Sequence, residues 1–192
     1  DLEVTEIVDR TVKAGGPALL FENPKGARHP LLINQFGTER RMCLAFGVER
    51  LDELAERVED VLELQPPQGL MDKVRGLQKL KSIADSGPRS VRSGPVQEVV
   101  LTGDDVDLGL LPIQRCWPGD PAPFITLPAV ITRDPRTGTR NVGMYRMQVI
   151  DRNTTFMHWQ IHKDGRADWL ATDGRIPVAV ALGLDPITAY SA

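Results

Sequence analysis

The feature that most limits the architectures open to this chain is a change of rhythm near residue 96. Before it, apolar residues recur at helical spacing between short runs of strand character. After it, β-rich stretches are cut at short intervals by Pro and Gly. Val4, Ile7, Val8 and Val12 form a helical stripe ended by Gly15-Gly16. Residues 18–21 and 31–33 are short strands separated by the turn residues Asn23-Pro24-Lys25-Gly26. Val48, Leu51, Leu54, Val58, Val61 and Leu62 predict a second helix, stopped by Gln65-Pro66-Pro67. Leu70, Val74, Leu77 and Leu80 predict a third. Ser86-Gly87-Pro88 and Ser93-Gly94-Pro95 punctuate a polar linker. Beyond it, residues 96–101 read as a strand. Residues 124–132 read as a β-segment that Pro128 confines to an edge or a bulge. Asp134-Pro135-Arg136-Thr137-Gly138 is a hairpin loop. Residues 141–151 and 154–161 are expected as two hairpin arms, and 178–182 as a last strand buried on both faces. The residues themselves thus predict an α/β segment followed by an antiparallel region with a barrel-like rhythm.

Composition narrows the function. At 192 residues the chain suits one ordinary domain or two small ones. With 41% hydrophobic and 26% charged residues it is globular rather than disordered. A net charge of −3 without a basic block argues against nucleic-acid binding. Its longest apolar run, residues 178–184, is too short to span a bilayer. Cys43 and Cys116 make no disulfide framework, so a reducing cytoplasm is expected. The chain opens on Asp1 without Met and closes at Ala192. That is soon after Asp185-Pro186 has set up a helix start, so a piece of a longer polypeptide is expected.

Several side-chain groupings bear on chemistry. Asp104, Asp105 and Asp107 have the composition of a calcium loop but lack its central Gly and closing Glu, so a solvated turn is the simpler reading. Trp117-Pro118-Gly119-Asp120-Pro121 reads alone as a rigid corner. His158 and His162 stand four apart without the Glu of a zinc-protease motif. On a strand they would be about 13 Å apart at about 3.3 Å per residue, so at most one would hold a given ion. Along Asn141-Val142-Gly143-Met144-Tyr145-Arg146-Met147-Gln148, alternation puts Arg146 on a mostly apolar face with Val142 and Met144. Such an Arg is either salt-bridged at a surface or clamps a carboxylate or phosphate. Asn141 falls on the opposite face, so a shared pocket would need a bulge or a strand end to reset the alternation.

Taken together, Gly103-Asp104-Asp105-Val106-Asp107-Leu108, Trp117-Pro118-Gly119-Asp120, Phe124-Ile125-Thr126, the 141–148 run and Met157-His158-Trp159 resemble the UbiD family. These are reversible decarboxylases of aromatic and α,β-unsaturated acids that use prenylated FMN (prFMN). The resemblance covers essentially the whole chain. It implies an α+β protein: an N-terminal α/β domain over residues 1–95, then the first part of a flavin-reductase-like split β-barrel over residues 96–192. It further implies a carboxy-lyase acting non-oxidatively through a prFMN adduct, with Mn²⁺ (or Mg²⁺) and K⁺ as metals. Asn141 matches a divalent-metal ligand, and His162 is taken as its histidine partner. Met144, Tyr145, Arg146, His158, Trp159, Gln160 and Lys163 match cofactor contacts. Arg146 is the expected catalytic residue, holding the substrate carboxylate. Ser191 and Ala192 match monovalent-cation carbonyls. The family's metal-binding Glu, acidic proton donors and oligomerisation domain would all follow Ala192. The implied partners are a small aromatic or unsaturated acid, CO₂, the remainder of the polypeptide, further copies in a dimer or hexamer, and a flavin prenyltransferase. The competing expectation is a flavin-binding split-barrel module without decarboxylase activity, and a third is a structural subunit with the site unused. The identity of the acid is not legible.

Overall fold

The computed structural model describes residues 2–62, 76–77, 80–81, 84–85, 87 and 89–192. The expected helix stop at Gln65-Pro66-Pro67, Leu70 and Val74 of the third stripe, and Ser86 and Pro88 of the linker lie outside the described residues. Two compact units are present: residues 1–47 with 104–192, and residues 48–103.

In the first unit, helix α1 (Leu2–Lys13) carries the predicted stripe and unwinds at Gly15, whose φ of 65° is left-handed. Strands β1 (Leu19–Phe21) and β2 (Leu31–Ile33) pair antiparallel with Leu20 opposite Leu32. Helix α2 (Glu39–Phe46), which the apolar pattern does not announce, is closed by its caps. Thr38 accepts a hydrogen bond from the Arg41 N–H at 3.3 Å, and Gly47 turns left-handed at φ 65°.

The remainder of this unit builds two open three-stranded sheets. One has the order β3-β6-β7 and the other β5-β4-β8. Strands β3 (Phe124–Ile125) and β4 (Ala129–Arg133) form one bent strand, and β5 (Arg140–Met144) and β6 (Met147–Val149) form a second, antiparallel to it. Ile125 pairs with Met147 and Ala129 with Met144, so residues 126–128 oppose only 145–146. This extra residue bends the ribbon from one sheet into the other. Pro128, fully buried, sits in the bend, where its missing N–H costs no ladder bond. The core lies at this corner: Ile125, Val130, Tyr145 and Met147 are buried, with Ile113, Val149, Met157 and Trp159 packed around them.

Four sequence expectations are corrected. The 141–151 arm is broken at Tyr145–Arg146 by the change of sheet, and the 154–161 arm ends early, with β7 (Thr155–Met157) paired to β6. Strand β8 (Ala179–Ala181) is not buried on both faces. It is an edge strand paired with β4, and Val178 and Leu182 beside it are substantially exposed. Residues 96–101 form no strand: Pro95–Gln97 is a 3₁₀ turn in which the Gln97 side chain accepts from the Gly94 N–H at 3.1 Å. With no described strand to pair, Val96, Val99 and Val100 stay exposed. Two short helices complete the first unit, α4 (Asp164–Leu170) and α5 (Pro186–Ser191). Asp185 caps the latter as expected, accepting from the Thr188 N–H at 3.1 Å.

The second unit contains α3 (Asp52–Leu62). Glu53 starts it by accepting from the N–H groups of Glu49 and Arg50, at 3.2 and 3.0 Å.

Candidate functional site

The bend that joins the sheets also spaces the candidate residues. Burial alternates without a reset along the chain: Asn141, Gly143, Tyr145 and Met147 are the more buried set, and Val142, Met144 and Arg146 the more exposed. Two neighbouring environments result.

The inner one is centred on Asn141. Its register partner on β4 is Thr132. The Asn141 Nδ2 donates to Thr132 Oγ1 at 3.1 Å and to the Tyr145 hydroxyl at 3.4 Å. The Thr132 hydroxyl donates to Asp168 on α4 at 2.5 Å. Thr132 and Asp168 are both buried. The Tyr145 ring meets the Trp159 indole edge-on, with centroids 6.3 Å apart. The Asn141 Oδ1 takes no hydrogen bond among the described residues. Asn141 lines a hollow of about 580 Å³ together with Asp164, Ala167 and Asp168 of α4, and with Asp134 and Arg136 of the hairpin loop. An amide oxygen beside carboxylates is hard-donor chemistry, suited to Mg²⁺ or Mn²⁺. No group of three His, Cys, Asp or Glu side chains is gathered for a metal among the described residues. The donors present therefore fit part of a divalent site.

The outer environment is centred on Arg146. Its guanidinium carbon lies 3.6 Å from the centre of the Phe124 ring. One nitrogen stands 3.5 Å from the Asp120 carboxylate, and the side chain is 43% exposed. That leaves most of its donors free. Asp120 is itself held by the turn at the Trp117-Pro118-Gly119 corner, accepting from the Trp117 N–H at 3.2 Å. Burial pushes the Cys116 thiol above its ordinary pKa. Asp120 adds to that rise and Arg146 opposes it. Cys116 and Phe124 line a second, larger cleft of about 810 Å³, with Leu31, Ile33, Phe36 and Leu127 among its walls. Arg146 lines neither hollow directly and reaches the larger one through the Phe124 ring.

The other candidates are placed as follows. Met144 ends β5 opposite Ala129 and is partly exposed. His158 follows β7, its N–H donating to the Arg146 carbonyl at 3.1 Å. Trp159 is half-buried. Its Nε1 is shielded from solvent without a hydrogen-bond partner and faces the Gly165 main chain of α4. Gln160 is exposed, and its carbonyl accepts from the Lys163 N–H at 3.1 Å. His162 is exposed in the turn before α4, and Lys163 is that helix's N-cap. His158 and His162 thus share neither a strand nor a helix. Ser191 and Ala192 end α5, where the Ser191 hydroxyl donates to the Ile187 carbonyl at 2.8 Å. That helix packs on α2, with Tyr190 edge-on to Phe46 and to Phe36.

Sequence reasoning did not single out Thr132, Phe124 or Asp168 as site residues. Counting back from the hairpin loop gives the Thr132–Asn141 pair. No local signal points to Asp168, which reaches Thr132 only through the packing of α4.

Residues 1–60 match the 3-octaprenyl-4-hydroxybenzoate carboxy-lyase N-terminal domain, and residues 89–192 match the Rift-related domain of that carboxy-lyase. The chain belongs to the UbiD family. A protein of Archaeoglobus fulgidus described as uncharacterized is 51% identical over 195 residues, which covers 100% of this chain and 40% of that protein. The vanillic acid decarboxylase of Sedimentibacter hydroxybenzoicus, in closed form, matches with a TM-score of 0.75 at 22% identity, over 98% of this chain and 38% of that one. That likeness is one of fold. An evolved dimeric form of the UbiD-class enzyme HmfF from Pelotomaculum thermopropionicum, in complex with prFMN, matches with a TM-score of 0.68 at 25% identity, over 94% of this chain and 39% of that one. The chain therefore spans 40% or less of the length of these relatives.

Proposed function

We propose that this chain is part of a UbiD-type carboxy-lyase. The enzyme would act non-oxidatively and reversibly on an aromatic or α,β-unsaturated carboxylic acid with prFMN. The observation that carries the reading is the Arg146 guanidinium. It is stacked on Phe124, held at one end by Asp120, and left with free donors toward solvent. An Arg anchored in this way can take a carboxylate through two parallel hydrogen bonds and orient it. Prenylated FMN, when bound, supplies the sink for the electrons released as CO₂ leaves.

In this reading residues 1–95 are the N-terminal α/β domain and 96–192 the start of the cofactor-holding split barrel. Met144, Tyr145 and Arg146 contact the flavin from one stretch, and His158, Trp159 and Gln160 from a second. Asn141 Oδ1 and His162 would hold Mn²⁺ (or Mg²⁺), and Lys163 would meet the cofactor phosphate. The Ser191 and Ala192 carbonyls serve K⁺. The remaining metal ligand and the acid–base groups come from further polypeptide. Copies associate as a dimer or hexamer, and a flavin prenyltransferase supplies the cofactor. The unpaired Cys43 and Cys116 suit a reducing cytoplasm.

The test uses the intact protein isolated with its flavin. Its absorption spectrum is expected to be that of prFMN, and Arg146→Ala is expected to keep the flavin while decarboxylation falls at least about 100-fold. A spectrum of plain FMN with no decarboxylation by the intact protein would leave only the flavin-binding module, and near wild-type turnover in Arg146→Ala would overturn the carboxylate clamp.

A further inference from the structure

Asp168 is a buried carboxylate to which the proposed function gives no task. Its described hydrogen bond is to the Thr132 hydroxyl, at 2.5 Å. We infer that Asp168 and Thr132 are positioning residues that lock the Asn141 carboxamide with its oxygen presented to a divalent cation. The inference rests on the reading of Asn141 as a metal ligand.

The argument is one of hydrogen-bond polarity. A carboxylate only accepts, so the single proton of Thr132 must go to Asp168. The Thr132 oxygen, its proton committed, can then only accept from Asn141. The side of the amide facing Thr132 must therefore be the NH₂, which stands 3.1 Å away and also reaches the Tyr145 hydroxyl. Amide oxygen and nitrogen are distinguished by such partners, and here the partners leave one orientation. Oδ1 consequently points away from the relay, with no hydrogen bond among the described residues, beside the hollow lined by Asp164 and Asp168. Were Asp168 a donor, the Thr132 proton could turn to Asn141 and engage the oxygen the metal needs. Thr132 and Asp168 are 2% and 6% exposed, so water competes little for either bond. Outer groups that orient a ligand typically contribute about 10–100-fold in metal affinity.

The experiment measures the Mn²⁺ dissociation constant of the intact, flavin-loaded protein by electron paramagnetic resonance of free Mn²⁺. Thermal unfolding of each variant serves as the control for folding. Asp168→Asn and Thr132→Val are expected to weaken Mn²⁺ binding about 10-fold or more, and Thr132→Ser, which keeps the hydroxyl, to restore it. If Asp168→Asn does not fold, Thr132→Val decides, because Val keeps the bulk of Thr and lacks the hydroxyl, while Thr132→Ser keeps the hydroxyl at smaller bulk. Loss of Mn²⁺ in Asn141→Ala, with wild-type affinity in Asp168→Asn and Thr132→Val, would overturn the relay and leave Asn141 as a ligand. Wild-type affinity in Asn141→Ala would overturn both.

Discussion

The Tyr145 ring crowds position 143. A Cβ there would stand 2.6 Å from the Tyr145 ring and 2.7 Å from its hydroxyl. The ring folds back over the residue two positions earlier, and that brings the hydroxyl to the Asn141 amide. Gly143→Ala must push this buried ring aside. We expect a loss of about 1–3 kcal/mol, read by chemical denaturation of the intact protein. A variant as stable as wild type would mean that the ring does not rest there. At this scale much of the candidate site was legible. Strict alternation separates Asn141 from Arg146 by face, and the burial pattern agrees with it. What alternation does not carry is the partner of each group. Phe124 beneath Arg146 and Asp168 behind Thr132 come from elements distant in sequence, and no local spacing encodes those meetings.

The hairpin joining β4 to β5 shows how local chemistry fixes an element. Asp134 accepts from the Arg136 N–H at 2.8 Å and pairs with its guanidinium, and Gly138 closes the loop at φ 74°. The Arg136 side chain, and then its backbone N–H, hold the Asp134 carboxyl at about 2, below its ordinary 3.8. A depressed folded value means that the unfolded chain takes the proton first. The contribution to stability is therefore complete above about pH 4 and disappears as pH falls toward 2. Carbon-detected NMR should find the Asp134 carboxyl titrating near 2, and a midpoint at the ordinary value would contradict the pairing. This loop was readable because every residue in it has a turn role. Helix α4 was not: at 7 residues it is shorter than two helical repeats and carries Gly165 inside its first turn. Such a helix is held by the strands it packs on rather than by its own pattern. The 96–101 run failed in the opposite sense, since β propensity makes a strand only where a neighbour offers a ladder.

On the scale of the molecule, the change of rhythm near residue 96 predicted helices and short strands followed by an antiparallel region, and the structure has that order. The two open sheets joined at one bent ribbon, and the exposed edge at β8, were not legible. They depend on a register offset of one residue and on what lies beside that edge. The Asn141 and Arg146 environments lie on opposite faces of the same ribbon, joined through Tyr145 and the main chain. A cofactor serving both would have to lie across the ribbon near Tyr145, its phosphate end toward Asn141 and its ring toward Arg146. The most direct test is an experimental structure of the intact protein isolated with its flavin and Mn²⁺. We predict the metal on Asn141 Oδ1, the phosphate beside it, and the flavin ring against Met144–Arg146. A flavin bound elsewhere, with the Asn141 oxygen and the Arg146 guanidinium both facing only water, would contradict the account.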